Sequence, residues 1–327
     1  MTRRLDVTIE RWPIRGIFTI ARGSKREAVV VVAEIHEGEH VGRGESVPYT
    51  RYGEDVDRVV SSVRSMNGQI EDGIDRESLI ELLPAGAARN ALDCALWDLE
   101  SKLTGTRAWE LANLDPPQSA VTAYTVSLAD PETMRVDANR HADWPLLKVK
   151  LGRADDLERV RAVREGAPEA VVIVDANEAW SAEEYLEVAP GLAELGVALL
   201  EQPLPAGNDD VLAEQERPVP VCADESAHDR STLEALFGRY DTVNIKLDKT
   251  GGLTEALAMV ESVLTAGLDV MVGCMVSTSL AVAPATLLTG MASYVDLDGP
   301  LLLAEDREPG LTYDSGVIQP PSRELWG

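Results

Sequence analysis

Three acidic residues, Asp175, Glu201 and Asp224, each end a short apolar segment, and neighbours are separated by the length of one strand and one helix. If the three segments are adjacent parallel strands, their carboxylates converge at one edge of the sheet. Anions that converge away from water repel each other unless a cation lies among them. Oxygen donors without Cys or His suit Mg²⁺ best, with Mn²⁺ as the alternative. Each acid alone could be a solvated loop residue, but the three together predict a metal site.

Two lysines, Lys150 and Lys246, end segments on either side of these carboxylates. Amines near a divalent cation and partly removed from water have lowered pKa values and can act as bases. Two such lysines on opposite sides of a substrate would remove a proton from one face and return one to the other, as racemisation or epimerisation requires. Lys148 points the same way as Lys150, where it would lower the pKa of Lys150 and stabilise negative charge on the substrate. The alternative for each lysine is an ion pair with a carboxylate.

A second pair of acids, Asp296 and Asp298, forms a D-x-D sequence at the end of a later apolar segment. Their side chains face the same side of a strand, and both cannot join the predicted metal site without crowding it. The natural partner of such a pair is a cationic group of the substrate, such as an ammonium. The alternative is that Asp298-Gly299-Pro300 is only a turn.

The residues that could do this chemistry lie where short apolar strands alternate with amphipathic helical stretches. The predicted strands are 121–127, 146–150, 171–175, 198–201, 220–224, 242–246, 269–273 and 294–298. Eight such units are typical of a TIM barrel, whose active sites form at the carboxyl ends of the strands. We therefore predict an α/β fold with a (β/α)8-type barrel over residues 116–300. A doubly wound open sheet is the second choice, although no GxGxxG follows the first strand.

Residues 1–115 show a different pattern and predict an N-terminal α+β capping domain. Residues 28–35 form a β-branched run, and 40–47 are expected to return as an antiparallel strand after a turn at Glu37-Gly38. Helical patterns follow at 55–66, 76–83 and 84–103. The C-terminal segment, 301–327, has no further strand–helix unit and is expected to pack back on the capping domain.

The composition excludes several classes of partner. The chain of 327 residues has 56 acidic and 30 basic residues and a net charge of −26, which disfavours nucleic acid and membranes as partners. No apolar run reaches the roughly 18–20 residues of a membrane span, and the charged N-terminus has no secretion signal, so a cytoplasmic location is expected. The three cysteines lack the spacing of a disulfide framework or a zinc site. A homo-oligomer is left open.

The basic residues are unevenly divided, with 24 arginines and six lysines. Four of the six lysines, Lys148, Lys150, Lys246 and Lys249, fall in two of the segments described above. An amine can release its proton where a guanidinium cannot. The distribution therefore favours lysines being kept where a proton must be exchanged.

The segments that carry these residues resemble a known family. The enolase superfamily and its muconate-lactonising subgroup are indicated by LLKVKLG, VDANE, LEQPLP, CADES and VNIKLDKTGG in this order. The chain also resembles bacterial L-Ala-D/L-Glu epimerases, the dipeptide epimerases of this superfamily. The segments that carry this resemblance are AARNALDCALWDLESKL, NIKLDKTGGLTEAL, VGCMVSTS and DLDGPLLL. The resemblance runs from IARGS at 20–24 to the D-x-D segment, and DLDGP separates dipeptide epimerases from their relatives.

This resemblance implies a role for each candidate residue. The three carboxylates of the metal site would bind one Mg²⁺, which the substrate's terminal carboxylate would chelate, and Lys150 and Lys246 would exchange the α-proton through an enediolate. Lys148 and the metal would stabilise the enediolate charge. The acids of the D-x-D pair would bind the α-ammonium of an N-terminal alanine, and Arg22 would bind the side-chain carboxylate of glutamate.

The function that follows is epimerisation of the C-terminal residue of a small dipeptide, in the metabolism of cell-wall peptides. The loops near 18–25 and 48–54 would cover the barrel mouth and exclude water. Lys249, Asn177 and Glu225 would support the residues beside them. The alternatives are another member of the superfamily, such as an N-acylamino acid racemase or a muconate cycloisomerase, and a non-catalytic metal-binding barrel.

Overall fold

The computed structural model describes residues 2–152 and 155–327. Its N-terminal part is built on a three-stranded antiparallel sheet in the order β1 (Arg4–Ile20), β2 (Gly23–Glu37) and β3 (His40–Ser46). The predicted pairing of 28–35 with 40–47 is confirmed. Strand β1 was not predicted, although apolar Leu5, Val7 and Ile9 alternate with polar residues at its start, as in a half-buried strand. Its register also shifts between Pro13 and Phe18.

Five helices follow this sheet in the chain. They are α1 (Val56–Ser65), α2 (Asn67–Glu71), α3 (Arg76–Leu82), α4 (Ala87–Thr104) and α5 (Ala108–Leu111). Helix α4 packs closely against β3, since a Cβ atom on Gly42 would lie 2.2 Å from the Ala95 carbonyl oxygen and one on Gly44 would lie 2.1 Å from that of Ala91. The two glycines therefore let the helix lie directly on the strand. The predicted helices at 55–66, 76–83 and 84–103 are confirmed.

A parallel sheet of eight strands forms the larger part of the molecule. After the short strand β4 (Ala120–Val121), these strands are β5 (Tyr124–Val126), β6 (Leu146–Lys150), β7 (Val171–Asp175), β8 (Leu199–Glu201), β9 (Val221–Ala223), β10 (Thr242–Ile245), β11 (Asp269–Gly273) and β12 (Tyr294–Asp296). The amide of Ala123 donates to the Val295 carbonyl at 2.8 Å and brings the last strand to the first. The barrel is therefore nearly closed, and the prediction of a barrel rather than an open sheet is confirmed.

The first predicted barrel strand, 121–127, is divided in the structure. Its beginning forms β4, which pairs with β14 (Val317–Ile318), and β14 pairs with β13 (Tyr313–Asp314). Only Tyr124–Val126 joins the barrel. The C-terminus also reaches helix α4, where the Trp326 indole donates to the Cys94 carbonyl at 3.0 Å and the amide of Gly327 donates to Asp98 at 2.9 Å. The boundaries at residues 115 and 300 stay a prediction.

Seven further helices follow β5 along the described chain, and four 3-10 segments occur in the described ranges, one of them in the N-terminal part. The helices are α6 (Pro131–Arg140), α7 (Asp156–Gly166), α8 (Ala182–Glu194), α9 (Val211–Glu214), α10 (Leu247–Thr250), α11 (Leu253–Thr265) and α12 (Ser279–Val282). The 3-10 segments are Thr50–Tyr52, Arg230–Leu236, Ala283–Met291 and Gly299–Leu302. The segment between β9 and β10 therefore contains a 3-10 helix, Arg230–Leu236. None of the helices in the described ranges is long and apolar enough to cross a membrane.

The inside of the barrel is layered along the strands. One end is filled by a buried apolar cluster that includes Leu146, Ile173, Leu199, Cys222 and Met271. Because side chains alternate between the faces of a strand, the residue two positions further also points inward. On four of these strands that residue is charged: Lys148, Asp175, Glu201 and Asp224. The fold therefore seals one end with apolar side chains and places charges at the other.

Candidate active site

The predicted metal-site carboxylates lie side by side at the carboxyl ends of neighbouring strands. In the sheet register Lys150 pairs with Asp175, and Asp175 pairs with Glu201. Glu201 pairs with Cys222, two residues before Asp224. All three carboxylates are buried. The sequence prediction that they converge is confirmed.

Lys148 lies among these carboxylates. Its ammonium nitrogen is 2.5 Å from Oε2 of Glu201, 2.7 Å from Oδ2 of Asp296 and 3.4 Å from Oδ2 of Asp175. Burial lowers the pKa of Lys148, but Asp296, Glu201 and Asp175 outweigh it and the net pKa lies well above the usual lysine value. Lys148 is therefore a fixed positive charge at the centre of the barrel mouth.

The other two predicted lysines lie at the ends of β6 and β10, the strands that flank the three carboxylate-bearing strands. Nζ of Lys150 donates to Oδ2 of Asp175 at 2.5 Å, and Nζ of Lys246 donates to Oδ2 of Asp224 at 2.7 Å. Burial lowers the pKa of Lys246, but the carboxylates of Asp224 and Glu201 raise it by a larger amount. The net pKa is therefore above the usual lysine value. The cause is that the Lys246 ammonium faces these carboxylates directly. The expected lowering of its pKa beside a divalent cation stays a prediction.

Lys249 and Asn244 donate hydrogen bonds to two of these carboxylates. The Lys249 ammonium has three protons to donate, and they go to Oδ1 of Asp224 at 2.6 Å, the Asp224 carbonyl at 2.7 Å and the Asn244 carbonyl at 2.8 Å. The Asn244 amide donates to Oε1 of Glu201 at 2.8 Å. The sequence analysis missed Asn244, although its position two residues before Lys246 places it on the same face of β10. We call Lys148, Lys150, Asp175, Glu201, Asp224, Lys246 and Lys249 the inner cluster.

The D-x-D acids lie beside the inner cluster. Asp296 accepts from Lys148 at 2.7 Å, and Oδ2 of Asp298 accepts from the amide of Thr125 at 2.6 Å. Burial, and then the charge of Asp296, raises the pKa of Asp298 to about 7. Asp298 also begins a turn, since its carbonyl accepts from the amide of Leu301 at 2.9 Å. The turn and the buried acidic pair therefore occur together.

The inner cluster offers carboxylate oxygens as the donors for a metal ion. Within residues 2–152 and 155–327, no group of three or more Asp, Glu, His or Cys side chains is drawn together as a ligand set, because the carboxylates face lysines. Oε2 of Glu225 is buried without a hydrogen-bond partner in those ranges. Burial, and then Asp224 and Asp175, raises the pKa of Glu225 to about 7. Asp175, Glu201 and Asp224 nevertheless offer only oxygen donors at neighbouring strand ends, and oxygen donors are the ligands that a hard divalent cation prefers.

A second set of charges lies at the edge of the mouth, where the β1–β2 hairpin and the segment Thr50–Tyr52 meet the barrel. Arg22, at the hairpin tip, pairs with Glu225 at 2.6 Å and with Glu178 at 3.1 Å. Arg51 makes a bidentate contact with Glu178, in which two guanidinium nitrogens each donate to a carboxylate oxygen at 2.6 Å. We call Arg22, Arg51, Glu178 and Glu225 the rim cluster. Sequence analysis missed Arg51 and Glu178, since no spacing rule connects residues so distant in the chain.

The hairpin and the barrel mouth enclose a cavity of about 440 Å³. Its wall includes apolar side chains from both parts of the molecule: Phe18, Ile20, Val47, Tyr52, Met275 and Leu302. Lys148, Lys150, Lys246, Asp296 and Asp298 also line it. The cavity therefore offers a small polar molecule an apolar covering and charged groups at its base.

The amino-acid sequence is similar to those of known proteins. Residues 2–112 match the N-terminal domain of mandelate racemase / muconate lactonizing enzyme, and residues 132–324 match the enolase C-terminal domain-like family. An L-Ala-D/L-Glu epimerase of Escherichia coli is 48% identical over 97% of this chain and 99% of its own length. An N-acetyl-D-glutamate racemase of a Pseudoalteromonas species is 43% identical over 91% of this chain and 95% of its own.

A solved structure is similar over the whole length. It is an enolase family member from Agrobacterium tumefaciens with homology to dipeptide epimerases, with bound sodium, L-Ala-L-Glu and an ordered loop. The sequence identity is 51%, the TM-score is 0.98, and the match covers 99% of this chain and 100% of that one. The two family models together cover both parts of the fold. The chain belongs to the mandelate racemase and muconate lactonizing enzyme group of the enolase superfamily.

Proposed function

We propose that this isomerase of the enolase superfamily epimerises the C-terminal residue of L-Ala-D/L-Glu-type dipeptides with Mg²⁺. The observation that carries the proposal is the position of two lysine amines, Lys150 and Lys246, on opposite sides of one buried set of carboxylates. A protein that only bound a metal would have no use for two proton-exchanging groups at the cavity. The apolar cover supports chemistry that excludes water.

The residues that would hold Mg²⁺ are Asp175, Glu201 and Asp224. When bound, the ion supplies a Lewis acid that stabilises negative charge on the substrate's carboxylate. The ammonium of Lys148, which lines the same cavity, would stabilise the negative charge that develops on the substrate's carboxylate as the α-proton leaves. Asn244 and Lys249 keep two of the carboxylates in fixed orientations.

The proton exchange uses the two flanking lysines. Nζ of one lysine, in its neutral form, takes the α-proton from one face of the substrate, and the ammonium of the other returns a proton to the opposite face. The configuration of the α-carbon is thereby inverted, and the two lysines exchange roles for the reverse direction. Two bases are needed because one amine cannot reach both faces of a substrate held in place.

The ends of the dipeptide have candidate partners as well. Asp296 and Asp298, buried at the cavity wall, would bind the α-ammonium of the N-terminal residue. Arg22 stays the candidate, from the family resemblance, for the side-chain carboxylate of the C-terminal residue. In the structure its guanidinium already pairs with Glu178 and Glu225.

Exchange of the α-proton with solvent tests the proposal. Incubation of L-Ala-L-Glu with the protein and Mg²⁺ in D₂O should replace the α-hydrogen of glutamate by deuterium and produce L-Ala-D-Glu, observed by NMR. Without Mg²⁺, or with excess chelator, exchange should stop. Absence of exchange with any dipeptide would overturn the proposal.

A second candidate function is racemisation of an N-acylated amino acid. It is favoured by the 43% identity to an N-acetyl-D-glutamate racemase. N-acetyl-glutamate has no ammonium group, so the buried D-x-D acids would then lack a cationic partner. Comparing exchange rates of L-Ala-L-Glu and N-acetyl-L-glutamate decides between the two, and faster exchange of the acetylated compound would favour the second.

A further inference from the structure

Six basic side chains line the cavity: Arg22, Lys25, Arg51, Lys148, Lys150 and Lys246. Five of them form ion pairs with carboxylates of the inner or rim cluster or of the D-x-D pair. Within the described ranges, Lys25 has no carboxylate and no hydrogen-bond acceptor at its ammonium. Among the described residues, Lys25 is therefore the basic group at the cavity that has no carboxylate partner.

The position of Lys25 is defined by Tyr49. Lys25 lies near the start of β2, on the exposed hairpin, and its ammonium is 4.9 Å from the centre of the Tyr49 ring. The Arg22 guanidinium is 5.9 Å from the centre of the same ring. Burial by the neighbouring side chains, and then repulsion from Arg22, lowers the pKa of Lys25. An anion that bound next to Tyr49 would relieve this repulsion.

Arg22 is less able to receive an anion. One of its terminal nitrogens donates to the Asn177 carbonyl at 2.8 Å and to Glu178, and the other donates to the Tyr49 hydroxyl at 3.1 Å and pairs with Glu225. These contacts attach the hairpin tip to the loops that follow β7 and β9. A substrate carboxylate at Arg22 would have to displace a buried carboxylate of the protein.

We propose that Lys25 is the specificity-determining residue that binds the side-chain carboxylate of an acidic C-terminal residue, while Arg22 holds the hairpin against the barrel. This inference rests on the proposed function. The other charges of the dipeptide have partners elsewhere, its ammonium at Asp296 and Asp298 and its terminal carboxylate at Lys148 and the metal. An acidic side chain at the C-terminal residue is the one remaining charge, and Lys25 is the one remaining unmatched cation of the described cavity wall.

The test compares a charged substrate with its neutral isostere. Lys25→Met keeps the length of the side chain and removes the charge, and kcat/KM is measured for L-Ala-L-Glu and L-Ala-L-Gln. For L-Ala-L-Glu we expect a loss of roughly tenfold to a hundredfold, mainly in KM, as for a lost charged hydrogen bond. For L-Ala-L-Gln we expect a change of less than about twofold, since no charge pair is lost. Lys25→Arg should restore most of the preference for glutamate.

The neighbouring Arg26 provides a matched control, because it points to the opposite face of β2 and does not line the cavity. Arg26→Met should leave both substrates unchanged. Equal effects of Lys25→Met on the two dipeptides, or no effect, would overturn the role of Lys25 while the proposed function stands. Absence of α-proton exchange with every dipeptide in the unsubstituted protein would overturn the proposed function and this inference together.

Discussion

The inner cluster and the rim cluster are both built from ion pairs, but they differ in burial. The side chains of Lys148 and Glu201 are each 1% exposed. In the rim cluster the carboxylate side chains are largely buried as well, but the side chains of Arg22 and Arg51 are 27% and 37% exposed. Removing one partner of a buried pair leaves an uncompensated charge in a medium that solvates it poorly. An exposed pair is screened by water and contributes little to stability. The inner cluster should therefore control catalysis and stability, and the rim cluster should control the position of the hairpin.

The two clusters also differ in how the chain builds them. The inner cluster comes from neighbouring strands whose register places Lys150, Asp175 and Glu201 in one row. The rim cluster joins two loops of the N-terminal part to two loops of the barrel. Asn177 and Glu178 have φ angles of 46° and 67°, in the left-handed region that non-glycine residues seldom adopt. The turn they form aims Glu178 at both arginines, so a strained loop serves as the contact point for the hairpin.

The largest effect is expected from Lys246→Ala. Loss of one of two proton-exchanging groups should reduce epimerisation by about a thousandfold, within the range for general acid–base groups. Mg²⁺ affinity, measured by calorimetry, should be retained, because Asp175, Glu201 and Asp224 are unchanged. Lys102, which pairs with Asp98 away from the cavity, provides the control, and Lys102→Ala should leave turnover unchanged. Normal turnover by Lys246→Ala would instead favour a metal-binding barrel without catalysis.

A pair of variants tests the difference in stability between the clusters. Lys249→Met leaves a carboxylate oxygen and two carbonyl groups without their donor, and it should lower the free energy of unfolding by about 3–5 kcal/mol. Arg51→Met breaks a bidentate but partly exposed contact and should lower it by less than about 1 kcal/mol. Urea unfolding followed by circular dichroism measures both. Equal losses would show that burial does not separate the two clusters.

A smaller effect is expected at the D-x-D pair. Asp298→Asn keeps the acceptor for the Thr125 amide and removes the charge, so kcat/KM for L-Ala-L-Glu should fall about tenfold to a hundredfold. Exchange of N-acetyl-L-glutamate, which has no ammonium, should not fall with it. Undiminished activity of the variant on the dipeptide would favour the N-acylamino acid racemase reaction.

The smallest effect is expected from Glu178→Gln at the rim. Losing this charge weakens the attachment of the hairpin, so KM for L-Ala-L-Glu should rise by roughly threefold to tenfold while kcat stays within about twofold. The matched control is Glu27→Gln, which breaks an exposed pair with Arg11 on the same hairpin and should change neither constant. A fall in kcat as large as that of Lys246→Ala would place Glu178 in the catalytic machinery and remove the distinction between the clusters.

The inner cluster could be predicted because strand periodicity and barrel topology are properties of the sequence pattern. Apolar segments ending in Asp175, Glu201 and Asp224 recur at one strand–helix unit, and parallel strands bring such ends together. The pKa of Lys246 could not be predicted in the same way. Whether this pKa is raised or lowered depends on how many carboxylates lie within a few ångströms of the ammonium, and that number is known only from the packed structure.

The sequence by itself therefore determined the barrel, the three carboxylates and the lysines around them, because these follow from short periodic segments and from residue type. Only the tertiary structure decided how the hairpin meets the barrel: that Arg22 pairs with Glu225, that Glu178 receives Arg51, and that Lys25 has no carboxylate partner among the residues that the structure describes. These contacts join residues more than a hundred positions apart through loops. No local pattern encodes such contacts, since they depend on the relative placement of two separately built parts of the chain.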